Sequence, residues 1–358
     1  MDHPSKPKLS IAEVLHLAFT ILRTVSTASL TLLTATFRGK AGHELYFKHV
    51  AHTALRTMNE RASARQIQAI NPSTVEAYTA FAKAQGFEPN ITSFSTTSAA
   101  KLLWLGKPEA SNILLCLHGG GFVYPAAAQL KWCWDLRKQS HQEQDYAVAL
   151  LAYSLAPDAQ YPAQLSQAVA SLRYLVEEKS KDPSKISIVG DSAGALLGLG
   201  VISHMLHPHP VIQPLTLAAP LAGIALISPW VTPRVLADSV KRNARKDVVS
   251  KRVLEKWSAY ALGNAQEDLY NTPSAATAEW WTGIQTVVKD LILTAGRNEV
   301  LFDHIESFST QLKSSSPSMS IVFANETHDQ ALMDPIIGIK EDCESSAAVK
   351  SWLVSKCQ

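Results

Sequence analysis

From Asn112 onward, short apolar and β-branched runs alternate with longer segments of helical periodicity. Repeated strand–helix units pair their strands in parallel and cover both faces of the sheet with helices. The pattern therefore predicts an α/β fold with a mostly parallel, doubly covered sheet. The predicted strands are Ile113–Leu117, Tyr146–Ala152, Ile186–Val189, Ile224–Ile227, Leu291–Thr294 and Ser320–Phe323. The predicted helices among them are Gln129–Gln139, Pro162–Lys179, Ala193–Leu206, His304–Ser314 and Glu341–Lys356.

Composition supports a large globular body and excludes several function classes. Of the 358 residues, 46% are hydrophobic and 18% are charged, which leaves ample material for a core. The formal net charge is only +2, so no nucleic-acid partner is expected. The cysteines show no C-x-x-C spacing, which argues against a zinc site, a redox motif or a disulfide framework, so we interpret them as reduced thiols and expect no metal. They are Cys116, Cys133, Cys343 and Cys357.

The first 90 or so residues show no strand pattern and are predicted to be all-helical, with further helical stretches at Ala41–Arg65 and Pro72–Gln85. Within them, Leu15–Phe37 has apolar residues at steps of three and four, which predicts an amphipathic helix. Three interpretations are open for this helix. It packs on the body of the protein, which we favour, or it lies at a membrane interface as an anchor, or it spans the membrane.

Spanning is the least favoured of the three because Arg23 falls within the apolar segment. A central arginine costs roughly 2.5–3.5 kcal/mol on insertion scales, whereas each large aliphatic residue returns only about 0.3–0.6 kcal/mol. The segment is also too long for a signal peptide, and no small-residue cleavage site follows it. We therefore expect a cytoplasmic protein, peripheral to an intracellular membrane if the helix serves as an anchor.

A G-x-S-x-G motif, Gly190-Asp191-Ser192-Ala193-Gly194, directly follows a predicted strand and opens an apolar helix. A nucleophilic serine needs a sharp strand-to-helix turn of this kind so that its hydroxyl stands clear at the carboxyl end of the sheet. The helix N-terminus aims backbone N–H groups at an anion formed beside the serine. The motif predicts Ser192 as nucleophile and the Ala193 N–H as a donor to the oxyanion.

A run of three glycines, in His118-Gly119-Gly120-Gly121-Phe122, follows the predicted strand Ile113–Leu117. Successive glycines allow a close approach of backbone, so the N–H groups of Gly119 and Gly120 are predicted to face the developing oxyanion. A phosphate-binding loop is disfavoured because no Gly-Lys-Ser/Thr follows. His118 is interpreted as a residue that anchors this loop, not as the base.

A candidate acid and a candidate base follow in the C-terminal third, each just after a predicted strand. In this type of fold the chain order is serine, then carboxylate, then histidine. Loops at the carboxyl ends of parallel strands meet in one crevice, so Glu299 is predicted to orient His328, which takes the proton of Ser192. Asp303 stays open as the alternative acid.

Together these motifs resemble the hormone-sensitive lipase-like group (family IV) of α/β-hydrolase serine esterases, including fungal carboxylesterases and members of the steryl acetyl hydrolase type. The resemblance runs from about Asn112 to the C-terminus and also rests on Tyr153-Ser154-Leu155-Ala156-Pro157 and on Tyr161-Pro162-Ala163. It implies the same nucleophile, acid, base and oxyanion donors. Two positions depart from the family pattern: Glu299 replaces the usual Asp, and Ser154 replaces an Arg.

The resemblance also implies a division of the chain. Residues 1–90 would form an N-terminal helical cap, and residues 91–358 the catalytic domain, with a cap or lid insertion at about 229–285. Tryptophans concentrated in and around the cap indicate a hydrophobic substrate. The oligomeric state is left undetermined by the sequence.

The expected function is a cofactor-free serine carboxylic-ester hydrolase that acts on a small hydrophobic ester through an acyl-enzyme. Two alternatives stay open. An acyltransferase, lactonase or cyclase of a natural-product pathway would use the same Ser192, Glu299 and His328 but pass the acyl group to another nucleophile. A non-catalytic ligand-binding homologue is disfavoured because all three of these residues are present.

Overall fold

The computed structural model describes residues 6–94, 99–140 and 143–356, which form an eight-stranded sheet with helices on both faces. The order in the sheet is β1-β2-β4-β3-β5-β6-β7-β8; β1 and β2 are antiparallel to their neighbours and the rest are parallel. The predicted α/β fold is confirmed. The strands are β1 (Asn90–Ser93), β2 (Lys101–Leu105), β3 (Asn112–Leu117), β4 (Tyr146–Ala152), β5 (Ile186–Asp191), β6 (Gly223–Ile227), β7 (Leu291–Gly296) and β8 (Ser320–Ala324).

The helices begin at residues that the sequence marks clearly. Ser10, Ser63 and Ser73 cap α1, α3 and α4, each in a reciprocal capping box with a Glu or Gln three residues later. The helices are α1 (Ile11–Thr34), α2 (Tyr46–Arg61), α3 (Ala64–Ile70), α4 (Thr74–Gln85), α5 (Ala128–Gln139), α6 (Ala163–Arg173), α7 (Ala193–Leu206), α8 (Asp238–Arg242), α9 (Lys251–Leu262), α10 (Phe302–Ser315), α11 (Gln330–Ile336) and α12 (Glu344–Ser355).

Some elements differ from the sequence prediction. All six predicted strands occur within two residues of their predicted ends, but β1 and β2 were missed. The four-residue β1 is mostly exposed, while β2 is buried on both faces and so has no alternation of apolar and polar residues. The predicted helix Ala41–Arg65 is divided into α2 and α3 because Ser63 starts a new helix. The short helix α11 was not predicted.

The core lies on both faces of the sheet. Along β2, Leu102 and Trp104 join one buried cluster, whereas Leu103 and Leu105 join the other. Every residue of β3 through β7 is buried, as expected of strands covered by helices on both sides. The carboxyl ends of these strands therefore form a rigid edge on which the candidate site is built.

Three cysteines occur as free thiols: Cys116, Cys133 and Cys343. The prediction of reduced thiols is confirmed for them. Cys357, the fourth, lies outside the described residues.

The N-terminal helix α1 packs on α2, as the favoured interpretation expects, but it leaves most of its apolar side chains exposed. Only Leu17, Thr20 and, just beyond the helix, Ala35 are buried along it, although it contacts α2 and is linked to α3 by Glu13 and Arg65. A helix packed into the body would bury its apolar stripe. Among the described residues it is the one helix long and apolar enough to cross a membrane. Its large exposed side chains are Ile11, Val14, Leu15, Phe19, Ile21, Leu22, Val25, Leu30, Leu32 and Leu33.

Candidate active site

Ser192 lies at the tight turn between β5 and α7, in the left-handed region with φ of +49°. A residue other than glycine in this backbone conformation costs about 1–3 kcal/mol of conformational free energy, which the surrounding structure must offset. The Ser192 N–H donates to the Ile227 carbonyl (2.9 Å), and the Trp230 N–H donates to the Ser192 carbonyl (3.1 Å). A Cβ on Gly194 would collide with the Leu117 carbonyl, so this motif position needs glycine.

The structure brings Ser192, His328 and Glu299 together in one hydrogen-bonded row. The Nε2 atom of His328 lies 2.8 Å from Ser192 Oγ, and the Nδ1–H of His328 donates to Glu299 Oε2 at 3.0 Å. All three side chains are almost fully buried, with Glu299 at 0% exposure. An imidazole held in this way by a carboxylate can accept the proton of a serine hydroxyl.

The carboxylate of Glu299 is fixed by its second oxygen. Oε1 accepts hydrogen bonds from Ser228 Oγ (2.6 Å) and from the Gly296 N–H (2.5 Å). The additional methylene of Glu relative to Asp is thus accommodated in the turn that follows β7. Asp303, the alternative acid, lies away from the row: its carboxylate accepts from the Ser239 N–H and pairs with Arg242.

In the triple-glycine loop, the prediction that the Gly119 N–H faces the oxyanion is wrong. The Gly119 N–H donates to Asp191 Oδ1 (3.0 Å), so it is not available to a substrate. Gly120 and Gly121 have φ of +91° and +62°, and in the described part of the chain neither of their N–H groups has a protein acceptor. The same holds for the Ala193 N–H. Successive backbone N–H groups in such conformations form a concavity that suits an anion.

His118 anchors this loop. Its ring stacks on Tyr153 with centroids 4.0 Å apart, and Nδ1 lies 2.8 Å from the Gly119 carbonyl. Burial lowers the pKa of His118 to about 4, so the ring is neutral near pH 7. Among the described residues no hydrogen bond joins His118 to Ser192, in line with the prediction that it is not the base.

A sequence profile described as the α/β hydrolase fold matches residues 114–332, more than half of the chain. The chain belongs to the α/β-hydrolase family. The resemblance to the hormone-sensitive lipase-like group that the motifs indicated is also confirmed.

Curated relatives of this α/β-hydrolase match part of its length. A neutral cholesterol ester hydrolase 1 of Pongo abelii is 25% identical, covering 44% of this chain and 39% of the relative. An acetyl-hydrolase of Streptomyces hygroscopicus is 27% identical, covering 58% and 64%. An acetyl esterase of Salmonella schwarzengrund is 34% identical, covering 27% and 30%. The chain thus spans less than two thirds of the length of these relatives.

Solved structures match the α/β-hydrolase over more of its length. An esterase from the bacterial hormone-sensitive lipase family superposes with a TM-score of 0.62 and 18% identity, covering 98% of this chain and 100% of that chain. A thermostable esterase from Pseudomonas putida has a TM-score of 0.64 and 18% identity, covering 88% and 95%. At such identities the likeness shows the fold.

Two buried carboxylates beside His328 in this α/β-hydrolase were missed by sequence reasoning. Asp247 Oδ1 accepts from the His328 N–H (3.0 Å) and Oδ2 from the Val300 N–H (2.7 Å), so Asp247 ties the acid loop to the histidine loop. Asp329 Oδ2 lies 3.3 Å from His328 Nε2. The position of Asp329 next to the candidate histidine was a usable signal, whereas Asp247 stands in a basic segment without any motif.

These carboxylates control the charge of the imidazole. Burial lowers the pKa of His328, but the neighbouring Asp329, Glu299 and Asp247 raise it by more, to about 10. Burial raises the pKa of Asp247 to about 6 and that of Asp329 well above its ordinary value. These carboxylates therefore stabilise the imidazolium form of His328, the form that it takes when it holds the proton of Ser192.

A narrow apolar pocket of about 40 Å³ opens beside the Ser192 turn. Trp230 lines this pocket and also contacts the turn, because its backbone N–H donates to the Ser192 carbonyl. Aromatic and aliphatic side chains dominate the wall and exclude water from it. They include Phe122, Leu165, Leu196, Leu197, Trp230 and Tyr270.

Proposed function

We propose that this α/β-hydrolase is a serine carboxylic-ester hydrolase that works through an acyl-enzyme. Ser192 is the nucleophile, His328 the general base and Glu299 the acid that orients the imidazole. The observation that carries the proposal is the continuous row of hydrogen-bond contacts from Ser192 Oγ through His328 to Glu299. The relatives named acetyl esterase and acetyl-hydrolase support the reaction class.

In the first step, neutral His328 removes the hydroxyl proton while Ser192 Oγ attacks the ester carbonyl carbon. The negative charge that develops on the carbonyl oxygen is stabilised by the N–H groups of Gly120, Gly121 and Ala193, each worth about 10²–10³ in rate. His328 then gives its proton to the departing alkoxide. A water molecule, deprotonated by His328, then attacks the carbonyl carbon of the acyl-enzyme in the same way. The carboxylic acid is released and Ser192 recovers its proton from His328.

The apolar pocket supports a hydrophobic ester with a short acyl chain. Its volume of about 40 Å³ leaves little room beside Phe122 and Trp230. A chain that fits displaces water from an apolar wall and gains about 0.8 kcal/mol per buried methylene, until crowding reverses the gain. A series of p-nitrophenyl esters from acetate to octanoate measures where this reversal occurs.

The reaction class is tested by covalent labelling with a fluorophosphonate. The purified protein should be labelled at Ser192, as shown by the mass of the peptide that contains Ser192, and should hydrolyse p-nitrophenyl acetate. A folded protein that neither takes the label nor turns over the ester would contradict the proposal and favour a ligand-binding role.

The pH dependence should reveal Asp329. A protonated His328 cannot accept the serine proton, so kcat/KM should rise with pH as His328 loses its proton. Asp329→Asn removes the carboxylate 3.3 Å from Nε2, which lowers the pKa of His328. We expect the rising limb of the pH–rate curve to move to lower pH by about 1–3 units. Asp303→Asn, outside the row, should leave the limb in place; an unmoved limb in Asp329→Asn would refute this role.

We also propose that α1 lies at a membrane surface. Its large apolar side chains are exposed on several sides, with Leu22 at 62% and Leu33 at 76% exposure, and Arg23 disfavours full insertion. Burial of each such side chain in the acyl region stabilises association by about 1.5–3 kcal/mol.

Flotation with phosphatidylcholine vesicles measures this association. We expect the unmodified protein to float and Leu22→Asp to bind at least about tenfold more weakly. Leu236→Asp, the same change at an exposed leucine outside α1, serves as the control and should retain binding. Failure of the unmodified protein to float would contradict the proposal.

A further inference from the structure

A polar cavity of about 270 Å³ lies outside the active site, between the C-terminal end of α1, α2 and the segment that joins α8 to α9. Four basic side chains border it: Arg38, His49, Arg56 and Arg245. Three threonines from α1 and α2 add polar walls. None of the nine residues that line the cavity, all within the described part of the chain, is acidic.

Two of the arginines are held in place by protein oxygens. Arg38 donates from Nε to the His43 carbonyl (2.7 Å) and from Nη1 to the Ala35 carbonyl (2.8 Å), and no ion pair of Arg38 occurs among the described residues. Arg56 donates to the Asp247 carbonyl and to Thr53 Oγ1. Both guanidinium groups are ordered before any ligand arrives, which reduces the entropy lost on binding.

The positive groups repel one another across the cavity. Burial lowers the pKa of His49, and the charges of Arg245, Arg56 and Arg38 lower it further. Burial also lowers the pKa of Arg56, although Asp247 and Glu60 offset part of that effect. An anion in the cavity would relieve this repulsion.

We propose that this cavity binds a phosphate group carried by an ester. Guanidinium groups match the oxygens of a phosphate with paired hydrogen bonds, and the cavity has room for a phosphate with bridging waters. Phe37, which is 88% exposed, borders the cavity and continues the apolar surface of α1. A ligand with an anionic head and an apolar body would contact both surfaces.

The headgroup of an anionic phospholipid and a free phosphate ester share this chemistry. The neighbouring apolar side chains of α1, Leu30 and Leu33 among them, favour the lipid because its acyl chains would lie beside them. The inference does not depend on the proposed hydrolase activity, since it uses none of the residues of the catalytic row.

Arg245→Gln tests the site because Arg245 is exposed. Its side chain takes no part in the hydrogen bonds that hold Arg38 and Arg56 in place. We expect inorganic phosphate to raise the Tm of the full chain above that in chloride of equal ionic strength. Arg245→Gln should weaken this phosphate affinity about tenfold, the effect of one charged hydrogen bond. Lys241→Gln, an exposed basic residue outside the cavity, is the matched control and should leave the affinity unchanged.

Vesicle flotation distinguishes the two sources of phosphate. If phosphatidic acid added to phosphatidylcholine strengthens binding of the unmodified protein and of Lys241→Gln but not of Arg245→Gln, the site takes a lipid headgroup. Phosphate protection that depends on Arg245, without any response to phosphatidic acid, supports the site with a soluble phosphate ester as its ligand. No response to either anion, or equal losses in Arg245→Gln and Lys241→Gln, overturns the proposal.

Discussion

Ser192→Ala should reduce kcat for p-nitrophenyl acetate by roughly 10⁴- to 10⁶-fold, the largest effect expected of any substitution in this protein. The change removes the atom that attacks the ester and leaves His328 without a proton to accept. The value of KM should change little because Trp230 and Phe122, in the pocket wall, are untouched. Steady-state kinetics together with fluorophosphonate labelling measure the loss.

A matched control exists on the same helix. Ser203 is fully buried in α7 and its Oγ accepts a hydrogen bond from Trp280 Nε1 (3.2 Å), far from the catalytic row. Ser203→Ala should lose stability, about 1 kcal/mol for one hydrogen bond, but retain kcat. Near-normal turnover by Ser192→Ala would mean that the row of hydrogen bonds is not the catalytic machinery.

The second large effect is expected for Glu299→Gln, about 10⁴-fold in kcat. A glutamine fills the same space but removes the negative charge that stabilises the imidazolium. Its amide also presents a donor where His328 Nδ1–H needs an acceptor, which disfavours the tautomer that leaves Nε2 free to take the Ser192 proton. Measurement of kcat over a range of pH separates this loss from a simple shift of pKa.

Asp303→Asn distinguishes the two candidate acids. The Asp303 carboxylate contacts the Ser239 N–H and Arg242, not His328, so its loss should change kcat by only a few-fold. It should cost at most about 1 kcal/mol of stability because Arg242 is half exposed. If Asp303→Asn were as damaging as Glu299→Gln, the assignment of Glu299 would be wrong.

Much of the fold could be predicted because its signals are local. Buried parallel strands appear as short apolar runs, and serine caps and glycine turns mark where helices start and chains reverse. The two antiparallel strands β1 and β2 gave no such signal. One is four residues long and exposed, and the other is buried on both faces, so neither shows the alternation that indicates a strand.

The part of the candidate site that could be predicted is the part that depends on sequence motifs and on the order of residues along the chain. Ser192, Glu299 and His328 each follow a strand, so their meeting at one edge of the sheet follows from the topology. The use of the Gly119 N–H could not be predicted, because its acceptor Asp191 lies 72 residues away in the chain. Asp247 reaches His328 from a segment whose path no local pattern specifies.

The sequence by itself determined the βα repeat, the strained serine turn and the order of nucleophile, acid and base, since each depends on neighbouring residues. Only the tertiary structure decided that Glu299 and not Asp303 contacts His328, and that the Gly119 N–H donates its hydrogen bond to Asp191. It alone showed α1 with its apolar side chains exposed. The physical reason is that helical periodicity shows which residues share a face, whereas what covers that face depends on contacts between segments distant in the chain.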